Sequence, residues 1–314
     1  MKFGVREICD VVFRAKSARK IGSRQFYKNE PVLYFDSLKT STLEGAVTTV
    51  YATGGRGNSR LVAWDGERTL TFTMEDALIS DIGIAILASA DLISATTDKP
   101  INVHAFSTHA KEDMALTEKS ITLEGVYAWD GKDDNGNTEI AAYLMFMKNG
   151  EVFTEPYICD VTAVAATEGK KATSTFAVDS VKGKDFATDY EKADQIMLDY
   201  YVTKSTKVTQ INITPETFGG NFYIEASTLF RDQVSGVDMP AEFIIPNGKV
   251  QSNFTFTMAS SGDPSTFTFT VDAMPDYTRF DKTKKVLAAI QVIEDDIAAE
   301  ASRESTDADH TIKA

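Results

Sequence analysis

Apolar and polar residues alternate with a period of two along much of this chain, which is the signature of β-strands rather than helices. The sharpest instance is Asn253-Phe254-Thr255-Phe256-Thr257-Met258, resumed at Phe267, Phe269 and Val271. Between the two runs stands Ala259-Ser260-Ser261-Gly262-Asp263-Pro264, a string of turn formers. The pattern predicts a hairpin with one apolar face and one threonine face. Burying its apolar side chains would contribute on the order of 10 kcal/mol before chain entropy is subtracted, so the ribbon has to lie on a core.

The same reading along the rest of the chain predicts strands at Pro31 to Phe35, Ala46 to Tyr51, Leu61 to Trp64 and Thr69 to Met74. Gly54 to Arg60 reads as a loop and Asp65-Gly66 as a turn. One helix is expected, from Met74 to Ala90, with Ser80-Asp81 able to recap it and Gly83 weakening it. Further strands are expected near Ser120 to Tyr127, Glu139 to Lys148, Val161 to Ala166, Lys207 to Ile213, Gly220 to Leu229, and Glu242 to Ile245 before Pro246-Asn247-Gly248. Asp133 to Asn137 reads as a hairpin turn, and Gly169-Lys170-Lys171 and Lys182 to Asp185 as exposed loops. Val286 to Ile293 fits an edge or sheet-closing strand better than a helix. Short strings such as Ala63-Trp64-Asp65-Gly66 and Ala128-Trp129-Asp130-Gly131 recur without a fixed period, so the chain is not a solenoid.

Charge and chemistry narrow the function more by exclusion than by assignment. With 314 residues, 43% apolar and 25% charged, the composition is globular. The net charge of −14 opposes a grip on nucleic acid, since phosphate contacts need clustered Lys and Arg, although DNA can slide past an acidic wall. The start is basic (Arg14, Lys16, Arg19, Lys20, Arg24, Lys28) and the end, from Glu294 to Asp309, is acidic, a polarity that favours head-to-tail stacking of copies. Cys9 and Cys159 form no disulfide or zinc spacing and are expected as buried free thiols. Met1 to Glu7 carries charges where a signal peptide or anchor would be apolar, and Gly83 to Ala90 is too short to span a bilayer. His104 and His109 lack metal-site spacing, and Gly54 to Gly57 is followed by neither Gly-Lys-Ser/Thr nor a helix. If Gly136 held the sixth place of a calcium loop, Gly131 and Ala142 would occupy ligand positions, and neither has a ligating side chain. No catalytic, cofactor-binding or metal residue is assigned, and an enzyme is not expected.

Three segments together resemble the tail tube proteins of tailed bacteriophages. They are Tyr51 to Gly66 running into Thr69 to Leu78, then Thr228-Leu229-Phe230-Arg231-Asp232 with Phe243-Ile244-Ile245-Pro246, and last Val250 to Met258 with Gly262 to Phe267. The resemblance implies a mainly β subunit of two packed antiparallel sheets with a flanking α-helix, forming a tube-type β-barrel. It implies self-assembly into hexameric rings that stack as a conduit for DNA ejection, in a virion tail assembled in the host cytoplasm. Partners would be further copies and sheath, baseplate and tail terminator proteins, with DNA crossing the lumen unbound and no membrane contact. The tube-like domain is expected at 1–114 and 196–296, an inserted or decorating β-rich domain at 115–195, and an acidic tail at 297–314. Two other readings stay open: a capsid or baseplate component, and a carbohydrate-binding adhesive module using Trp64, Trp129 and tyrosines.

Overall fold

The alternating segments become strands wherever one parity can be buried, and the chain is mainly β, with two short α-helices among the described residues. The computed structural model describes residues 2–5, 7–133, 135–180, 184–216, 219–255, 260–261 and 266–293. In chain order the principal elements begin with β1 (Asp10–Ala15), β2 (Pro31–Phe35), β3 (Leu38–Gly54), β4 (Ser59–Asp76) and α1 (Asp81–Leu87). Next come β5 (Ile101–Ala110), β6 (Ser120–Glu124), β7 (Ala142–Lys148), β8 (Tyr157–Val164), β9 (Thr173–Ser180), α2 (Phe186–Lys192) and β10 (Gln195–Lys204). The last four are β11 (Asn221–Asp232), β12 (Asp238–Val250), β13 (Phe267–Ala273) and β14 (Ala289–Val292). The chain forms two compact units, Met1–Ile93 with Ile211–Ala314, and Ser94–Gln210.

In the first unit the sheet runs β2-β1-β11-β12-β13-β4-β3, each neighbour antiparallel. Its two edge strands, β2 and β3, are joined only by Asp36-Ser37, so the sheet has to curl until its edges approach, giving a half-barrel. Inward-facing Phe13, Phe72, Phe222 and Phe269 fill it, and Phe35 meets Phe269 edge-on at 4.8 Å across the interior. Helix α1 contributes Ile82, Ala85, Ile86 and Leu87 to the same core. Strand β14 pairs with β12 at Ala241 to Ile244, beside the stretch where β13 takes Gly248 to Val250.

Several expectations change here for identifiable reasons. The helix does not begin at Met74: β4 continues to Asp76, whose carboxylate accepts from Ser37 Oγ at 2.6 Å, and the helix starts only after Ser80, whose Oγ caps Gly83 N–H at 3.0 Å. Asp65-Gly66 is no turn but a bulge inside β4, where Thr48 Oγ1 accepts from Glu67 N–H at 2.8 Å. A Cβ on Gly66 would stand 2.6 Å from that same Oγ1, so the bulge closes only around glycine. Strand β12 runs on through Pro246-Asn247-Gly248, because a second bulge sets Pro246 where no ladder N–H is needed. The basic N-terminal segment holds β1, with Val11, Phe13 and Ala15 fully buried, and Arg14, Lys16 and Arg19 are engaged within the fold. Arg14 pairs with Glu225 at 2.5 Å, Lys16 with Asp276, and the Arg19 guanidinium lies 4.7 Å from the Phe222 ring centre.

The hairpin at Asn253 to Val271 is recovered on one arm. Strand β13 pairs with β4 on one side and with the end of β12 on the other. After Gln251, whose N–H donates to Thr270 O at 2.8 Å, the chain leaves the ladder and Asn253 to Thr255 is not strand. Ser252 bonds Ser89 at the end of α1 (2.5 Å), and Phe254 packs against the core, which draws the segment off the sheet. Phe256 to Met258, most of the expected turn and the acidic tail lie outside the described residues.

The second unit is built on a sheet in the order β6-β9-β8-β7-β10-β5, with the two-residue strand Met114–Ala115 beyond β6 and Glu151–Val152 paired with β7. Leu144, Phe146, Tyr157, Phe176, Ile196 and Leu198 are essentially inaccessible on one face, and α2 adds Phe186. The Tyr157 hydroxyl donates to Asp189 on α2 at 2.6 Å, and its ring packs edge-on to Phe186 at 5.4 Å. The Asp133 to Asn137 turn joins a single bridged pair, Lys132 with Thr138, and not two strands.

Candidate assembly surface

Strands β3 and β4 continue well past the core as a two-stranded ribbon. Between Gly45 and Arg68 its residues are exposed on both faces, apart from a few half-buried near the tip. Antiparallel partners share a face, so Val50 lies opposite Trp64 and Ala52 opposite Val62 on one side. A bulge between Ala52 and Thr53 adds Leu61 to that side, where a Cβ on Gly54 would lie 3.2 Å from its Cδ1. Tyr51, Thr53, Ala63 and Arg60 take the other face, with the Arg60 guanidinium 4.1 Å from the Tyr51 ring centre. One face is thus an apolar stripe: Val50 is 61% exposed, Leu61 64%, Val62 49% and Trp64 55%. A lone two-stranded ribbon is marginal in water. Among the described residues no strand pairs with the outer edge of β3, leaving a 17-residue row of backbone donors and acceptors open.

The ordinary chemistry of the chain is directed elsewhere. His104 pairs with Asp199 at 2.8 Å on an exposed face, and His109 shares a hydrogen bond with Ser107 at 2.7 Å, so the two imidazoles do not converge on one centre. Asp133 accepts from the Asn135 and Asn137 amides (2.9 and 2.7 Å) and from the Asn137 side chain, which hold its carboxyl below the usual range and shape the turn. Burial pushes the Cys159 thiol up to about 12 and raises that of Cys9. Among the described residues no group of three His, Cys, Asp or Glu is placed to hold a metal, and no helix is long and apolar enough to cross a membrane. The Gly54 to Gly57 loop is the ribbon tip, a turn with Gly55 and Gly57 at φ +77 and +91. The ribbon's two arms were expected as strands, at Ala46 to Tyr51 and Leu61 to Trp64 with a loop from Gly54 to Arg60; what the pattern did not show is that they pair with each other as one ribbon exposed on both faces.

The first unit is thus a curled antiparallel sheet with a long open edge and an uncovered apolar ribbon. The chain belongs to the YomU/Tube protein family, whose model matches residues 20–145 and 148–287. No curated protein matches it.

Proposed function

We propose that the chain is a virion structural protein, the subunit of a phage tail tube whose rings, six copies each, stack into the conduit for DNA ejection. The observation that carries this reading is the β3–β4 ribbon: its apolar stripe and open edge call for partners, and pairing between copies in a closed ring would cover that edge. Family membership supports the tube rather than a capsid or baseplate. On this reading the protein resides in the virion tail, meets sheath, baseplate and terminator proteins at the tube's outside and ends, and carries Ser94–Gln210 as a decorating module. The net charge of −14 suits a lumen wall that repels phosphate, so DNA passes without being held. Negative-stain electron microscopy of the concentrated protein tests it. Rings or hollow tubes are expected; shells, or monomers across a range of salt and concentration, would overturn it.

A further inference from the structure

The second unit carries a feature separate from the β3–β4 ribbon. On the sheet face opposite its core, β10 and β5 set Tyr201 beside His104 and Asp199 beside Phe106. The strand-like stretch before the Asp130-Gly131 turn extends the same rows, since Ala128 bridges Val202, Trp129 N–H donates to Tyr201 O at 2.9 Å and Thr203 N–H to Tyr127 O at 2.9 Å. A row Trp129, Tyr201, His104 therefore crosses the face, with Phe106 in the next row. Phe106 is 68% exposed and Tyr201 40%.

The rings make corners rather than one plane. Trp129 stands at 89° to Tyr201 with centroids 6.1 Å apart, and His104 at 62° to Tyr201, 5.5 Å away. The Trp129 indole is fixed by its Nε1–H donating to Lys132 O at 2.6 Å, and His104 by Asp199 at 2.8 Å. A rigid corner of aromatic floor and wall with a carboxylate at its rim needs no ordering before it binds.

From this geometry we propose that the patch binds a neutral cell-surface glycan. A pyranose ring has an apolar C–H face that stacks on an aromatic ring and hydroxyls that donate to an acceptor such as the Asp199 carboxylate. Strands about 4.8 Å apart make the three-ring row about 10 Å wide, room for about two sugar units. Nucleic acid is disfavoured by Asp199 within the patch and by the net charge of −14. A second copy of the chain is disfavoured by size: half-exposed rings of about 200 Å² each offer roughly 400 Å², against about 800 Å² per partner in a stable interface.

The test uses the full chain, unassembled, titrated by calorimetry with maltohexaose, cellohexaose and N-acetylchitohexaose, and with polysaccharide extracted from bacterial envelopes. Binding to at least one glycan is expected, weakened about tenfold or more by Tyr201→Ala and by Phe106→Ala and unchanged by Trp64→Ala. Phe106 sits exposed on an edge strand, so its replacement leaves the fold intact even where that of Tyr201 does not. The proposal is overturned by absence of binding to all of these glycans, by binding indifferent to Phe106→Ala, or by a single-stranded oligonucleotide competing for the patch. Loss of tubes with glycan binding retained would fault the assembly reading alone.

Discussion

Replacing Leu61 and Trp64 together by serine separates assembly from folding. Full burial of an aliphatic side chain is worth about 1.5–3 kcal/mol, and Leu61 is 64% exposed, so covering it gains about 1 kcal/mol. Trp64 is 55% exposed; with about 200 Å² in the side chain and about 25 cal/mol per Å², covering it gains about 3 kcal/mol. Ordering of side chains and imperfect packing trim the sum to about 3 kcal/mol per subunit, equivalent to about a hundredfold in association constant. Sedimentation velocity across a dilution series should show the double variant assembling only at about a hundredfold higher concentration, while the dilute chain melts within about 2 °C of the parent. Assembly at the parent's concentration would refute the claim that this stripe is an interface. A fall in melting temperature as large as a core deletion causes would show instead that the stripe packs within its own subunit.

Phe269→Ala removes a fully buried ring that meets Phe35 at 4.8 Å and should cost about 3–5 kcal/mol in denaturant unfolding, a loss below about 1 kcal/mol being incompatible with the half-barrel core. Burial first, and then the Glu225 carboxylate, raise the Glu242 pKa against the pull of Arg14. The ionised form is thus disfavoured in the fold, so Glu242→Gln should stabilise at neutral pH, with the gain fading as pH falls from the raised folded value through the unfolded one. Equal gains at pH 7 and pH 3 would contradict this. At pH 8 neither thiol should react with iodoacetamide in the native protein, since Cys159 is raised to about 12 and Cys9 is buried, whereas both should label in denaturant; mass spectrometry reads the result.

Some strands whose two parities differ were legible from sequence, but others, such as β1 with Val11, Phe13 and Ala15 buried, were not. Thr69 to Met74 buries Phe72 and Met74 and leaves Thr71 and Thr73 half-covered, so the pattern carries the answer. Gln195 to Lys204 is apolar at both parities, with Ile196, Leu198 and Tyr200 in the core and Met197, Tyr201 and Val202 around it, so it offered no period and β10 went unseen. Glycine and proline misled in a different way: Gly66 and Pro246 read as breaks but sit in bulges that only the partner strand reveals, through Thr48 in one case and Tyr223 in the other. Sequence pairing was the weakest guide of all. The second arm of the expected hairpin is a strand, yet its longer ladder is with β4, almost two hundred residues away along the chain. The arms of the candidate assembly surface were read as strands, at Ala46 to Tyr51 and Leu61 to Trp64, but its apolar stripe was not, because Val50 and Trp64 come onto one face only through pairing between the strands.

The β3–β4 ladder shifts register at three places, near Lys39, between Val47 and Thr49, and between Ala52 and Thr53. A smooth edge accepts any extended chain that meets it, in any of several alignments. Each irregularity bends and twists the strand locally, and a slip of one residue sends every side chain to the wrong face. A strand docking along β3 has to follow bends of this spacing. On the proposed assembly, the kinks would turn away extended chains that cannot follow them before any side chain is tested, and would set the alignment of one that can.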